Sequence, residues 1–346
     1  MKQHIIIDGA CGEGGGQVLR SALTLAILLQ QPVQIRNIRG GRSKPGLLRQ
    51  HLAAVRAAVA ISNGVVSGDD LGSEQITFVP GKVQPGNYHF AIGSAGSTTL
   101  LCQTILLPLA LAGGVSVVQF EGGTHNGMSP SVDFLRKSYL PVLAAMGLQT
   151  KVTLTQHGFY PAGGGKWSID ITPVIQLKPL SLMLNTDADS ATDTPLAVIA
   201  LCSQLPESIG HREIMALTSA LPSGPAHSSV LTVPGQGPGN MLIASYRRAN
   251  LTSQFELAGK VGTSAENIGK RVAGRLRHWL TAEVAVEEYL ADQLLLPMAV
   301  AGKGSFTTTR PSMHCLTNID VIHQFGIAKI LVTQVNDTAW QISVEC

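Results

Sequence analysis

One stretch of the sequence occurs twice, and this internal repeat constrains the fold more than any other feature. Residues 106–114 read Leu-Leu-Pro-Leu-Ala-Leu-Ala-Gly-Gly, and 189 residues later, at 295–303, the chain reads Leu-Leu-Pro-Met-Ala-Val-Ala-Gly-Lys. The same offset carries His125 onto His314. A fainter copy precedes both. An offset of 82 residues aligns Arg-Gly-Gly-Arg at 39–42 with residues 121–124. Repeats of this length predict stacked supersecondary units that share one core and carry function at equivalent loops.

The order of apolar runs and glycine loops predicts what one unit contains. Residues 4–8 read as a buried strand, a glycine-rich loop follows, and residues 18–29 read as a helix. A second strand, a second helix and two closing strands, near 75–80 and 87–92, complete the first unit. This order predicts a layered α/β (α+β) fold and excludes a helical solenoid.

The repeat is lost between about residues 179 and 261. There the composition shifts toward Ser, Asp, Thr and Pro, most clearly at 185–194. Strands and one helix are still predicted in this part, so we interpret it as an inserted α/β domain. A chain of 346 residues is also too long for one simple core. We divide the chain into repeats 1 and 2 (1–180), a small inserted domain (181–275) and repeat 3 (276–346).

Charge is unevenly distributed along the chain. Residues 14–68 contain no Asp or Glu and seven basic residues, which are Arg20, Arg36, Arg39, Arg42, Lys44, Arg49 and Arg56. Since the whole chain carries only +3, the remainder is net acidic. This pattern favours a local phosphate-binding surface, above all at Arg39 and Arg42, which lie in a glycine-rich loop. A solvated basic face is the alternative.

Composition excludes several classes of function. Aromatic residues make up 5% of the chain, too few for a platform on which a single strand of nucleic acid would stack. The five cysteines have no CxxC spacing, which argues against a zinc site or a disulfide framework and fits a reducing cytoplasm. No signal peptide is visible, and the uncharged stretch 83–120 is broken by Pro108 and glycines. We therefore expect a cytoplasmic protein with no membrane partner.

The residues suited to chemistry lie far apart in the sequence. Amides at the start of the first helix attract phosphate, and Glu13 in the preceding glycine loop can hold a divalent cation. No Walker A, HExxH, GxSxG, CxxC or KxDG motif occurs. We expect His314 on a loop after a strand, as a nucleophile or base, with a structural histidine as the alternative. Tyr289, Asp292 and Gln293 share one helical face just upstream.

Four motifs together resemble those of the RNA 3'-terminal phosphate cyclase family. They are Asp8-Gly-Ala-Cys-Gly-Glu-Gly-Gly-Gly-Gln, Lys44-Pro-Gly-Leu-Leu-Arg-Gln-His, His157-Gly-Phe-Tyr-Pro-Ala-Gly-Gly-Gly and Pro311-Ser-Met-His-Cys-Leu-Thr-Asn. The resemblance is specific and spans the chain. It implies a large domain of three repeated βαβαββ units that carries a smaller inserted domain, in agreement with the repeat.

The resemblance also implies an activity and its residues. His314 would be the nucleophile that takes AMP from ATP, and Glu13 would bind a divalent metal, Mg²⁺ or Mn²⁺. The rest of the nucleotide site would comprise Arg20, Arg42 and Gln103 near the phosphates, Pro130 and Tyr289 around the adenine, and Asp292 and Gln293. AMP would then pass to the 3'-phosphate of an RNA, and attack by the 2'-hydroxyl would leave a 2',3'-cyclic phosphate. RNA is thus the expected partner, and a homodimer is left open.

Two other functions remain as alternatives. The first is a catalytically inactive RNA-binding or ribosome-assembly relative, against which the presence of both His314 and Glu13 argues. The second is an enolpyruvyl-transferase-like enzyme, which has a similar repeated architecture and which only fold analogy supports. His125, the repeat equivalent of His314, is expected to be a spectator.

Overall fold

The structure is a computed structural model that describes residues 3–184, 196–248 and 251–346. The composition shift at 185–194 therefore lies outside the described residues. The strands are β1 (Ile5–Asp8), β2 (Val33–Arg36), β3 (Val65–Ser67), β4 (Ile76–Val79), β5 (Asn87–Ala91), β6 (Ser116–Gly122), β7 (Thr150–Gln156), β8 (Gly165–Ile171), β9 (Leu180–Leu182), β10 (Leu196–Ser203), β11 (His227–Thr232), β12 (Gly239–Arg247), β13 (Thr252–Ala258), β14 (Lys303–Thr308), β15 (Lys329–Gln334) and β16 (Trp340–Glu345).

Helices connect most of these strands. They are α1 (Gly16–Leu29), α2 (Arg49–Ser62), α3 (Thr98–Ala110), α4 (Val132–Phe134), α5 (Leu140–Ala145), α6 (Glu207–Ser219), α7 (Ala265–Thr281), α8 (Glu288–Ala301) and α9 (Met313–Phe325). A π-helical turn, Leu135–Tyr139, joins α4 to α5, so the three form one helical segment with a widened middle.

Three of the four described sheets share one order of pairing. Their strands run β1-β2-β4-β3, β5-β6-β8-β7 and β9-β14-β16-β15. In each sheet the first pair is parallel and the other two pairs are antiparallel. Parallel neighbours require a crossover, which α1 supplies in the first sheet and α3 in the second. The predicted mixed α/β class is confirmed.

The strand predicted at 87–92 does not close the first unit. It is β5, which opens the second sheet beside β6. The first sheet is closed instead by β3 and β4. The sequence analysis missed β3 because it has only three residues and lacks a clear apolar alternation.

The duplicated Leu-Leu-Pro sequence lies in two buried helices. It forms the C-terminal part of α3, with Pro108, and of α8, with Pro297. Both helices are apolar on nearly every side, as expected of helices enclosed by other elements. They pack with α1 and the three sheets into one continuous hydrophobic core. Among the described residues, no helix combines the length and apolarity that crossing a bilayer requires.

The fourth sheet belongs to the inserted part of the chain. Its order is β11-β10-β12-β13, and it lies in sequence between β9 and α8. Its own hydrophobic core includes residues of α6 and α7, with Trp279 fully buried. Helix α7 runs through residue 275, where the sequence analysis places a boundary. The division of the chain at residues 180 and 275 stays a prediction.

Candidate active site

The loop between β1 and α1 leaves the start of α1 open to an anion. The N-cap Gly15 has no side chain to accept from the first amides, and the first turn contains no acidic residue. The loop is held against α9, because the Glu13 backbone N–H donates to Thr317 Oγ1 at 3.0 Å. Gly12 permits this contact: its φ is +59°, and a Cβ there would lie 2.1 Å from Thr317 Oγ1.

His314 lies on a helix, so the prediction that it lies on a loop is wrong. It is the second residue of α9, which begins after Ser312, and the Ser312 hydroxyl accepts from the Cys315 N–H at 3.2 Å. The glycines and proline around this motif indicated a loop, but a capped helix start uses the same residue types. The first-turn position leaves the imidazole 49% exposed.

Glu13 lies between Arg42 and His314. Its Oε1 accepts from Arg42 Nη2, and its Oε2 lies against His314 Nδ1. The second contact is close but lacks the alignment of a hydrogen bond, so the buried Oε2 has no hydrogen bond in the described structure. Partial burial, together with Arg20 and Arg42, lowers the pKa of His314. The ring is therefore neutral near pH 7.

Gln17 joins two of the expected nucleotide-site residues. Its Nε2 donates to Asp292 Oδ1 at 3.0 Å, and its Oε1 accepts from Arg20 Nη2 at 3.1 Å. Burial raises the pKa of Asp292 to about 7, opposed by Arg20, and burial lowers the pKa of Arg20 to about 10, opposed by Asp292. Asp292 is thus poised between its two charge states at neutral pH. The sequence analysis assigned no role to Gln17.

Hydrogen bonds between side chains tie the helices of the site together. Ser21 on α1 donates to Asn318 Oδ1 at 2.7 Å, and Asn318 Nδ2 donates to the Asp292 carbonyl at 3.0 Å. Gln103 on α3 donates to Gln293 on α8. These bonds position α9, and with it His314, relative to α1 and α8. Their residues come from four distant parts of the chain.

Pro130 and Tyr289, the residues expected around an adenine, are both connected to the inserted part of the chain. Ser131, next to Pro130, donates to the Glu256 carboxylate from its backbone N at 2.7 Å and from its hydroxyl at 2.6 Å. The Arg275 guanidinium lies 5.5 Å from the centroid of the Tyr289 ring and donates to the Glu256 carbonyl at 3.2 Å. No motif around Glu256 or Arg275 indicated this position.

Comparison with known proteins identifies the family. The family model described as RNA 3'-terminal phosphate cyclase matches residues 11–332. The chain belongs to the RNA 3'-terminal phosphate cyclase family. Proteins named RNA 3'-terminal phosphate cyclase from Salmonella enteritidis and Salmonella typhimurium are each 46% identical to it over 326 residues, which is 94% of either chain. The one from Koribacter versatilis is 45% identical over 322 residues, covering 93% of this chain and 89% of its own.

Membership of the RNA 3'-terminal phosphate cyclase family settles the class of protein. The chain is an enzyme of the ligase type, as the names of relatives similar over nearly the whole length indicate. The enolpyruvyl-transferase alternative is therefore wrong. The match extends from the glycine loop before α1 to the strands after α9, so it includes every residue of the candidate site.

Arg39, expected at a phosphate-binding surface, has its guanidinium bonded to the protein backbone in this cyclase family member. Its guanidinium is 9% exposed and donates from Nη1 to the carbonyl oxygens of Lys44 and, at 3.0 Å, Gly46. It therefore stabilises the loop that precedes α2. Arg42, three residues later, keeps a guanidinium beside Glu13 and the start of α1.

His125 has different surroundings from His314 in this family member, although the repeat aligns them. It is 1% exposed, with Nδ1 at 2.8 Å from Thr124 Oγ1 and Nε2 at 3.1 Å from Asp133 Oδ2. His125, Asp133 and His157 lie close enough together to provide three ligands to a metal ion. However, Asp133 also accepts from Arg136 at 2.6 Å, so its charge is already balanced. These contacts describe a structural hydrogen-bond network.

Proposed function

We propose that this chain is an ATP-dependent RNA 3'-terminal phosphate cyclase that works through a covalent histidine–AMP intermediate. The observation that carries the proposal is the contact between His314 Nδ1 and Glu13 Oε2. Even without hydrogen-bond alignment, the negative carboxylate beside Nδ1 favours a proton on that nitrogen over a lone pair, so Nδ1 carries the proton of the neutral ring. The Nε2 lone pair is then free for attack. Family membership supplies the substrates, ATP and RNA.

In the first step, His314 Nε2 attacks the α-phosphorus of ATP. An N–P bond forms, the bond from the α-phosphorus to the bridging oxygen breaks, and pyrophosphate leaves. The adduct is a cationic imidazolium because Nδ1 keeps its proton, and the adjacent Glu13 carboxylate stabilises that charge. Arg20 and Arg42 stabilise the negative charge on the phosphates. Pro130 and Tyr289 hold the adenine, and Gln103, Asp292 and Gln293 complete the nucleotide pocket.

In the second and third steps the adenylate moves to RNA and is expelled. A 3'-phosphate oxygen attacks the phosphorus of the adduct, and His314 leaves as a neutral imidazole, again with its proton on Nδ1. The RNA 2'-hydroxyl then attacks the 3'-phosphorus and loses its proton, and AMP departs. The RNA end is left as a 2',3'-cyclic phosphate. The half-exposed position of His314 supports this scheme, because a large second substrate must reach Nε2.

The residues present fit a divalent metal. Glu13 Oε2 is buried without a hydrogen bond, and a carboxylate oxygen is the ligand type that Mg²⁺ and Mn²⁺ prefer. These ions commonly bind through one or two carboxylates together with substrate phosphates. When bound, such an ion would neutralise charge on the triphosphate. Glu13 is the protein residue that would hold it.

Labelled ATP tests the proposed function. Protein incubated with ATP labelled at the α-phosphate should retain label, while label at the γ-phosphate should leave as pyrophosphate. Addition of RNA ending in a 3'-phosphate should release the α-label as AMP and make the RNA end resistant to phosphatase. A wild-type protein that neither retains α-label nor changes the RNA end would contradict the proposal. A cytoplasmic location and a homodimer stay predictions from the sequence.

Arg42→Ala is expected to slow turnover at least about tenfold, which corresponds to roughly 1.4 kcal/mol. The reason is that Arg42 lies beside Gly15 and Glu13, where the phosphates of either substrate would bind. Arg36→Ala is the matched control, because Arg36 belongs to the same basic segment but is exposed and donates to Gln34 at 2.9 Å. Steady-state kinetics with RNA 3'-phosphate would measure both. Equal rates for the two variants would contradict the assignment of Arg42.

A further inference from the structure

His51 is a buried histidine to which the scheme above gives no role. It is the third residue of α2 and ends the motif that begins at Lys44. Its side chain is 3% exposed, and Nδ1 accepts from the Leu48 backbone N–H at 3.2 Å. An Nδ1 that accepts a hydrogen bond has no proton. The proton of the neutral ring is therefore on Nε2, which is a donor.

The Nε2–H of His51 is directed at the start of α1. A Cβ on Gly16, the first residue of α1, would lie 2.5 Å from His51 Nε2 and 2.9 Å from Arg20 Nη1. Because Gly16 has no side chain, both donors can lie this close to the backbone of α1. Within residues 3–184, 196–248 and 251–346, His51 Nε2 has no hydrogen-bond partner. This nitrogen is not among the fully buried unpaired atoms of the described residues, so the donor keeps a small opening through which a ligand can reach it.

The neighbours of His51 fix this orientation. Gln50 Oε1 accepts from the Ser97 backbone N–H at 3.1 Å, and Arg49 Nη1 donates to the Gly93 carbonyl at 3.2 Å. Both contacts attach the first turn of α2 to the loop after β5. His51, one position further along the helix, then faces α1. Arg49 and Gln50 therefore attach α2 to the loop after β5, and the Nε2–H of His51 remains available as a donor.

Three kinds of donor meet at this point, and the neighbouring acceptor Gln17 Oε1 is already bonded to Arg20 Nη2. The donors are the uncapped amides of α1, the Arg20 guanidinium and the His51 N–H. Such a set selects an anion with several acceptor oxygens. We propose that His51 binds a phosphoryl oxygen through Nε2–H at the N-terminus of α1. This inference rests on the proposed function for the source of the phosphate, which is either the polyphosphate tail of ATP or the 3'-phosphate of RNA.

A neutral histidine suits this position. Burial, together with Arg20 and Arg39, lowers the pKa of His51 to about 3. The ring therefore contributes a directed hydrogen bond without adding a third positive charge beside two arginines. Retaining the phosphate too tightly would slow the release of pyrophosphate, and a neutral donor avoids this.

Two substitutions separate phosphate binding from a purely structural role. His51→Asn keeps an acceptor near the Nδ1 position for the Leu48 N–H but removes the Nε2 donor. His51→Gln places an amide donor near the Nε2 position but loses the acceptor for Leu48. Phosphate binding by Nε2–H predicts that His51→Asn is the more defective enzyme and that His51→Gln is partly rescued. A capping role predicts the reverse order. Thermal melting would establish that both variants are folded.

The reaction should be followed step by step. With label in the α-phosphate of ATP, His51→Asn is expected to slow adenylylation about tenfold or more if the ATP tail occupies the site, as for a hydrogen bond to a charged group. If the RNA 3'-phosphate occupies it, the transfer of AMP from pre-labelled enzyme to RNA should slow by a similar factor instead. Folded His51→Asn protein that matches the wild type in both steps would overturn the proposal.

A binding measurement keeps this inference separate from the proposed chemistry. Calorimetric titration with inorganic pyrophosphate, and separately with a short RNA ending in a 3'-phosphate, requires no reaction. His51→Asn should weaken one of these ligands about tenfold, and His51→Gln should weaken it less. If the wild-type protein and His51→Asn bind each ligand with equal affinity, His51 is not a phosphate-binding residue. If wild-type protein binds but does not become labelled, only the proposed function fails.

Discussion

His314→Ala protein is expected to retain no label from ATP labelled at the α-phosphate, and RNA cyclisation should fall by at least about a thousandfold, as for other removed nucleophiles. The physical reason is that no other described side chain presents a neutral, half-exposed imidazole beside both Glu13 and Arg42. Gel electrophoresis after the incubation measures the label. Its chemical stability identifies the bond, because a histidine adduct is lost in mild acid and survives alkali.

His125→Ala is the matched control for this experiment, since the repeat aligns His125 with His314. Its ring is buried and bonded to Thr124 and Asp133, so the substitution should lower thermal stability while labelling persists below the melting temperature. If the His125 variant loses the label and the His314 variant keeps it, the site assignment is wrong, although the family assignment stands.

Glu13→Ala is expected to slow adenylylation by roughly a hundredfold, the range for removing one preorganised electrostatic group. Thermal stability should change little, because the bond from the Glu13 backbone N–H to Thr317 on α9 is retained in the alanine variant. The loss has two physical sources, which are the metal ligand and the charge that stabilises the histidine adduct. Adenylylation should be measured across a titration of Mg²⁺ and Mn²⁺. Activity equal to that of the wild type throughout would refute both roles.

Glu13→Gln tests the negative charge by itself, because the amide keeps the size and polarity of the side chain beside His314 but brings no charge. A variant that performs as poorly as Glu13→Ala would indicate that charge dominates. Asp8→Ala is the loop control: the Asp8 carboxylate holds the Ala10 N–H at 3.0 Å and the Asn37 amide at 3.2 Å. Asp8→Ala should lower thermal stability more than Glu13→Ala does, and it should slow adenylylation less.

Much of the fold could be predicted because its signals are local. Apolar periodicity and glycine positions predicted a helix at 18–29, and α1 is observed at Gly16–Leu29. Short or exposed strands were missed, including β3, β9 and β15. β3 and β9 have three residues each, which is too short to show an alternation of apolar and polar residues. The residues of β15 are mostly exposed, so this strand is defined by its hydrogen bonds to β16.

The candidate site was accessible to sequence analysis only in part. Position in the repeat drew attention to His314, and the glycine loop before the first helix drew attention to Glu13, to which the family resemblance then gave a metal-binding role. By contrast, Arg39 and Arg42 occupy similar places in one loop, and the structure directs Arg39 to backbone carbonyls and Arg42 to Glu13. Which guanidinium faces the site depends on where the chain before α2 turns, and that turn is set by contacts with distant residues.

The sequence by itself determined the mixed α/β class, the offset that aligns His125 with His314, and the family. Only the tertiary structure decided which histidine has an accessible ring and which has both ring nitrogens bonded. Asp133, eight residues away, reaches His125 from the same part of the chain and, with Thr124, satisfies both ring nitrogens. Glu13 reaches His314 across 301 residues and contacts one nitrogen only. A histidine becomes a nucleophile or a structural residue according to what folding places around it, and no local pattern contains that information.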